Sequence, residues 1–186
     1  MLLVCLSFCK LRIDNEMQEQ VNSDNEEDPT APIETLPPMS DIRQGYYAML
    51  VTGSVSSFIK GLYRGEATFA DTNTPLIGTD GNIRKEISFL YSYGLIRKLK
   101  IYSGDPNIIV QSYPLVPYAY FKSNLPEDSV SATYIIASNY QFRSKQGKLE
   151  IYDVSSSIVK GSLEGSFFTD RGDSINVSIN FKAVKE

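Results

Sequence analysis

Toward the end of the chain, apolar and polar residues alternate with a period of two. Residues 175–183 read INVSINFKA, which puts Ile175, Val177, Ile179 and Phe181 on one side and Asn176, Ser178, Asn180 and Lys182 on the other. Residues 148–154, KLEIYDV, set Leu149 and Ile151 against Lys148, Glu150 and Tyr152. An extended strand turns successive side chains to opposite faces, so each stretch predicts a strand with one buried face. The same reading predicts strands at about 46–54, 61–70, 85–93, 95–103, 107–112, 131–138 and 158–169. Turn residues fall between them, as in Thr79-Asp80-Gly81-Asn82, Gly104-Asp105-Pro106-Asn107, Leu125-Pro126-Glu127-Asp128 and Lys145-Gln146-Gly147. No segment carries an amphipathic helical stripe. The pattern therefore predicts an all-β domain, an antiparallel β-sandwich of about nine strands, with a closed β-barrel as the alternative. A parallel sheet is disfavoured because its strands are apolar on both faces.

Charge divides the chain. Residues 10–44 hold three basic side chains (Lys10, Arg12, Arg43) against nine acids, while the rest is nearly balanced, with fifteen basic and thirteen acidic. The stretch RIDNEMQEQVNSDNEEDPTAPIETLPPMSD has few large apolar residues, no sustained period and prolines at 29, 32, 37 and 38. Such a segment buries too little surface to offset its ordering entropy, and its Pro-rich half is expected to be extended. The expected organisation is a leader over 1–9, an acidic disordered tether over 10–44 and a single β domain over 45–186. A domain of that size buries a real core without help from metals or disulfides.

The leader is MLLVCLSFCK, an apolar run ending at Cys9 and followed by Lys10 and the acidic stretch. It is too short to span a bilayer, which takes about 20 apolar residues. Leu6-Ser7-Phe8-Cys9 resembles a bacterial lipobox, in which the Cys is lipidated and becomes the mature N-terminus. Phe8 stands where that pattern has a small residue, and no Lys or Arg precedes the apolar run. The resemblance implies a membrane partner held through a lipid on Cys9.

The chemistry available is narrow. With no His in the chain, Ser-His-Asp and Cys-His systems and His-ligated zinc are excluded. Both cysteines, Cys5 and Cys9, lie in the leader, so the domain has no thiol and no disulfide. Paired carboxylates remain as a possible catalytic device. The domain's acids, however, lie mostly in turn-like stretches (Asp71, Asp80, Asp105, Glu127, Asp128, Asp170, Asp173) or at outward positions such as Glu150. The expectation is a non-enzyme without cofactor or metal.

Four motifs are candidates for recognition. Arg171-Gly172-Asp173-Ser174 matches an integrin-recognised tetrapeptide, but it joins two alternating segments, and a Gly in a short reversal accounts for it as a turn. Asn176-Val177-Ser178 fits a glycosylation sequon within a strand. Residues 112–124, SYPLVPYAYFKSN, gather Tyr113, Tyr118, Tyr120 and Phe121 around Pro114 and Pro117. This is expected to be a loop or sheet edge, where aromatic rings form a platform for a sugar or a partner's apolar patch, or cover the open end of the core. Residues 96–102, IRKLKIY, contribute Arg97, Lys98 and Lys100 and read as the charged face of an edge strand. The slight basic excess of the domain does not support nucleic-acid binding.

The C-terminal portion, residues 144–184, with its Gly165-Ser166-Phe167-Phe168 stretch, resembles that of small uncharacterised all-β lipoproteins of Bacteroidota. That resemblance implies an extracytoplasmic β domain anchored at the outer membrane of the cell envelope, and it brings no catalytic residues. The expected function is a lipoprotein with a binding or structural role. The alternatives are a carbohydrate-binding module using the 112–124 loop and a barrel that carries an apolar ligand.

Overall fold

The structure is a computed structural model that describes residues 34–72, 84–117, 125–136 and 140–186. Among the described residues there are nine strands: β1 (Tyr46–Gly53), β2 (Gly61–Thr72), β3 (Arg84–Tyr91), β4 (Arg97–Ser103), β5 (Ser112–Leu115), β6 (Val130–Ile136), β7 (Tyr140–Val154), β8 (Ile158–Phe168) and β9 (Ser174–Lys185). The only helical element among the described residues is one 3-10 turn, Met39–Asp41. The all-β, predominantly antiparallel domain of about nine strands expected from the sequence is what forms. The strands make one continuous sheet in the order β1-β2-β3-β4-β6-β5-β7-β8-β9. It closes on itself, because β1 pairs with β9 from Tyr46↔Lys182 to Gly53↔Ile175.

The alternation read from the sequence becomes the inside and outside of this ring. On β4, Arg97, Leu99, Ile101 and Ser103 are buried and the residues between them are half-exposed. On β9, Ile175, Val177, Ile179, Phe181 and Ala183 point inward and are all at most 1% exposed. The interior is filled with large side chains. Phe89 packs edge-to-face against Tyr47 and Phe181, with ring centroids 5.4 and 5.1 Å apart. Gly161 of β8 faces Phe181 across the ladder, and a Cβ there would run into the Glu150 carbonyl and press on the Phe181 ring at 2.9 Å.

One irregularity interrupts the ring. β6 and β7 pair from Ile136↔Tyr140 to Thr133↔Arg143, then separate, and β5 enters between them. At the fork the Ser144 hydroxyl takes the place of ladder bonds, donating to the Val116 carbonyl at 2.7 Å and accepting from the Ala132 amide at 3.1 Å. Side chain thus replaces backbone where the strands diverge, which keeps buried polar groups satisfied.

Four details differ from the sequence expectation. The turn expected at Lys145-Gln146-Gly147 lies inside β7, where a register shift between Ser144 and Gln146 absorbs the extra residue without reversing the chain. The strand expected at 107–112 is a loop up to its last residue, Ser112, where β5 begins and runs to Leu115 through Pro114. Proline fits because β5 is short and set at the fork, where few ladder bonds are required of it. The edge strand expected at 96–102 is instead β4, held on both sides by β3 and β6. Finally, residues 34–44, which composition assigns to the tether, lie along the outside of β1. The Leu62 amide donates to Glu34 Oε2 at 2.7 Å, Asn180 Nδ2 donates to the Pro37 carbonyl at 2.9 Å, and Ile42 is buried. This strap runs from the start of β2 to the start of β1, and Ala48, the ladder partner of Asn180, is fully buried although it faces outward. Residues 34–186 form one compact unit.

Candidate interaction surface at one end of the ring

Strand directions bring three described loops to the same end: 54–60 between β1 and β2, 92–96 between β3 and β4, and 169–173 between β8 and β9. Their geometry is set by one buried cation. Arg97 follows the alternation of β4 and so points inward, where it is 7% exposed. Its guanidinium lies 4.5 Å from the centroid of the Tyr63 ring and 5.6 Å from that of Tyr91. It donates through Nη1 to the Leu95 carbonyl at 3.0 Å and through Nη2 to the Phe58 carbonyl. Among the described residues no carboxylate forms an ion pair with it, and its Nε is buried without a hydrogen bond. A buried charge without a counter-ion is costly. Two backbone carbonyls and two ring faces supply the compensation, and in doing so they join the 54–60 loop to the 92–96 loop.

The phenols around it respond to burial. Desolvation pushes the hydroxyls of Tyr47, Tyr63 and Tyr134 above the usual phenol range, and the nearby Arg97 charge opposes the rise in all three. Tyr63 Oη is further held by the Ile59 and Lys60 carbonyls at 2.8 and 3.0 Å, which anchors the 54–60 loop from beneath. The Tyr134 hydroxyl is buried beside the Arg97 guanidinium.

Above this support the loops turn bulky side chains outward. Phe58 is 58% exposed, Tyr93 74%, Leu95 43% and Ile96 59%. Tyr93 also touches Tyr91 edge-to-face, with centroids 5.9 Å apart, so it belongs to the same aromatic group. Four large apolar residues exposed on two tied loops form a patch of the kind that marks contact surfaces. Glu34, where the described chain begins, binds the first residues of β2 at this same end.

The Arg171-Gly172-Asp173 stretch is a tight turn here. The Thr169 amide donates to the Asp173 carbonyl at 2.9 Å, the Gly172 amide to the Thr169 carbonyl at 3.1 Å, and Gly172 has φ +94°. Arg171 is exposed, but Asp173 Oδ2 accepts from Tyr140 Oη at 2.7 Å. The carboxylate that an adhesive tripeptide would offer to a receptor is thus engaged within the turn.

The aromatic platform expected over 112–124 is corrected at one position. Tyr113 is fully buried on the inner side of β5, its hydroxyl accepting from the Ile109 amide at 2.9 Å, so its ring is not presented to a ligand. Tyr118, Tyr120 and Phe121 lie outside the described residues, as does Cys9. Arg97, Lys98 and Lys100 also divide: Arg97 is interior, Lys98 faces outward, and Lys100 pairs with Glu86 at 2.7 Å. The acids are used locally. Asp170 pairs with Arg143 at 2.7 Å, Asp153 with Lys160 at 2.6 Å, and Asp105 accepts from the Asn107 amide at 2.6 Å.

A concavity of about 380 Å³ lies between the strap and β1–β2, lined by Pro37, Asp41, Ile42, Arg43, Tyr46 and Arg64. The Arg43 guanidinium covers the Tyr46 ring at 4.3 Å, which leaves little free aromatic face there. Among the described residues no three of His, Cys, Asp or Glu gather closely enough to hold a metal ion, and no helix is long and apolar enough to cross a membrane.

No protein-family model matches the chain, and neither a curated protein nor a solved structure matches it at a significant level.

Proposed function

We propose that the protein is a cell-envelope lipoprotein, held at a membrane by a lipid on Cys9, whose closed β domain acts by binding or assembly and not by catalysis. The observation that carries this reading is the order of parts: an apolar run ending at Cys9, an acidic and Pro-rich stretch, and a domain whose chain enters beside an exposed apolar end. A lipid, a solvated spacer and a compact body hold a binding surface near a membrane without a spanning segment. The carrier alternative has less support, because the ring's interior is occupied by Tyr47, Phe89, Phe142, Phe167 and Phe181. The glycan alternative keeps Tyr118 and Tyr120 but loses Tyr113 as a stacking ring.

The test is mass spectrometry of the protein recovered from its native membrane. An acylated N-terminal Cys9 is expected. An unmodified Met1 in a soluble fraction would remove both the anchor and the envelope location.

A further inference from the structure

We propose that the end of the ring carrying loops 54–60 and 92–96 rests on the lipid surface to which the chain is anchored, with Phe58, Tyr93, Leu95 and Ile96 entering the headgroup boundary. The inference rests on the lipid-anchor reading for which membrane is involved, but its physical basis lies in the domain.

Three observations converge on a lipid occupant. The exposed side chains are one Phe, one Tyr and two branched aliphatics, a set that suits a boundary with an apolar and a wet side. They are fixed from below, since the Arg97 guanidinium bonds the carbonyls of both Phe58 and Leu95, so the loops need little ordering on contact. And the chain arrives at this end: residues 10–33 separate Cys9 from Glu34, whose carboxylate is bound by the Leu62 amide at the start of β2. An anchored Cys9 therefore leads into the domain at this end and not at the opposite one.

The charges around the patch do not select an anionic surface. Lys60, Lys98, Arg143 and Arg171 at this end stand against Glu34, Asp170 and Asp173, which leaves the balance close to neutral. Contact is therefore apolar, is made with neutral lipid, and does not weaken in salt.

The absence of Trp from the chain provides a clean reporter. The full chain carrying Cys5→Ser is coupled through Cys9 to a maleimide lipid in neutral phosphatidylcholine vesicles, with one Trp introduced at a time: Phe58→Trp, Tyr93→Trp, or Tyr152→Trp on the outer wall, where Tyr152 is 52% exposed. Emission at positions 58 and 93 is expected to shift to the blue and to be quenched by lipids brominated on their acyl chains, at low and high salt alike, while position 152 does neither. Adding Leu95→Ser and Ile96→Ser to the Tyr93→Trp chain is expected to lower the bound fraction at least about tenfold. Three results overturn the proposal: no shift at 58 and 93, an equal shift at 152, or a shift without lipid that grows with protein concentration, which would make a second copy the occupant. Because the lipid is attached chemically, failure here leaves Cys9 acylation in the cell standing, and failure of acylation leaves this result standing.

Discussion

The guanidinium of Arg97 lies over the ring of Tyr63, 4.5 Å from its centroid, inside a sheet that supplies no carboxylate partner among the described residues. The cation is retained because it does what no apolar side chain can. It fastens two loop carbonyls from different hairpins to the same interior aromatic group.

Removing that fastening should be costly and local at once. Arg97→Ala leaves two carbonyls unmet and a void beneath Tyr63, and a loss of about 2–4 kcal/mol in urea denaturation is expected. Arg97→Lys should recover little of it, because one ammonium neither forks to two carbonyls nor stacks as a plane. Hydrogen exchange should rise first in 54–60 and 92–96. Uniform loosening of all strands would show that the contact has no special bearing on the loops.

Alkaline conditions should unfold the protein in a particular window. In the unfolded chain a tyrosine ionises near pH 10. In the folded chain burial keeps Tyr47 and Tyr134 protonated well above that. Above pH 10 the folded state therefore binds more protons than the unfolded one, and stability falls as pH rises, by about 1.4 kcal/mol per pH unit for each such tyrosine. Below pH 10 neither group changes the balance. Absorbance at the phenolate band should show the buried tyrosines ionising only with loss of near-ultraviolet dichroism. Smooth ionisation of all twelve tyrosines with the fold intact would contradict this.

How much of this was readable in advance depended on whether a contact is local. The inward rows of β8, β9 and the second half of β7 follow directly from alternation, whereas the register shift after Ser144 moves the inward positions of β7 from even to odd numbers; the expected strands at 158–169 and 175–183 agree with Ile158–Phe168 and Ser174–Lys185 to within two residues. The same rule held information that chemical type obscured. Tyr113 and Leu115 share a parity, as do Arg97, Leu99 and Ile101, and both sets are inward. Proline drew attention to 112–124 as a loop, and charge drew Arg97 to the outside. The fork at Ser144, the β1–β9 closure and the strap over Ala48 join residues far apart in sequence. Periodicity assigns faces and not neighbours, so none of these had a local signal.

The fork predicts a large effect from a small change. Ser144→Ala removes one oxygen and leaves the Val116 carbonyl and the Ala132 amide without their partner, so a loss of about 1–3 kcal/mol is expected in thermal or urea melts. Ser144→Thr should be tolerated less well than its hydroxyl suggests, since Ser144 is fully buried and an added methyl group must displace a neighbour.

The core should show aromatic coupling. Phe89→Ala is expected to cost about 3–5 kcal/mol, since its ring touches both Tyr47 and Phe181. In a double-mutant cycle Phe89 and Phe181 should be coupled by about 0.5–1.5 kcal/mol beyond the sum of the single losses. Gly161→Val, which drives a branched side chain toward the Phe181 ring, should destabilise by about 1–3 kcal/mol. Additive behaviour at 89 and 181 would mean the edge-to-face contact carries no energy of its own.

The ladder between β1 and β9 joins the first of the nine described strands to the ninth. Until twelve-residue β9 emerges from a ribosome, the nascent ring has two raw margins and no finished neighbour for either. A stop codon just before Ser174 would strip β1 and β8 together, so termination there should be as ruinous as one much earlier, and its products should clump and not merely weaken.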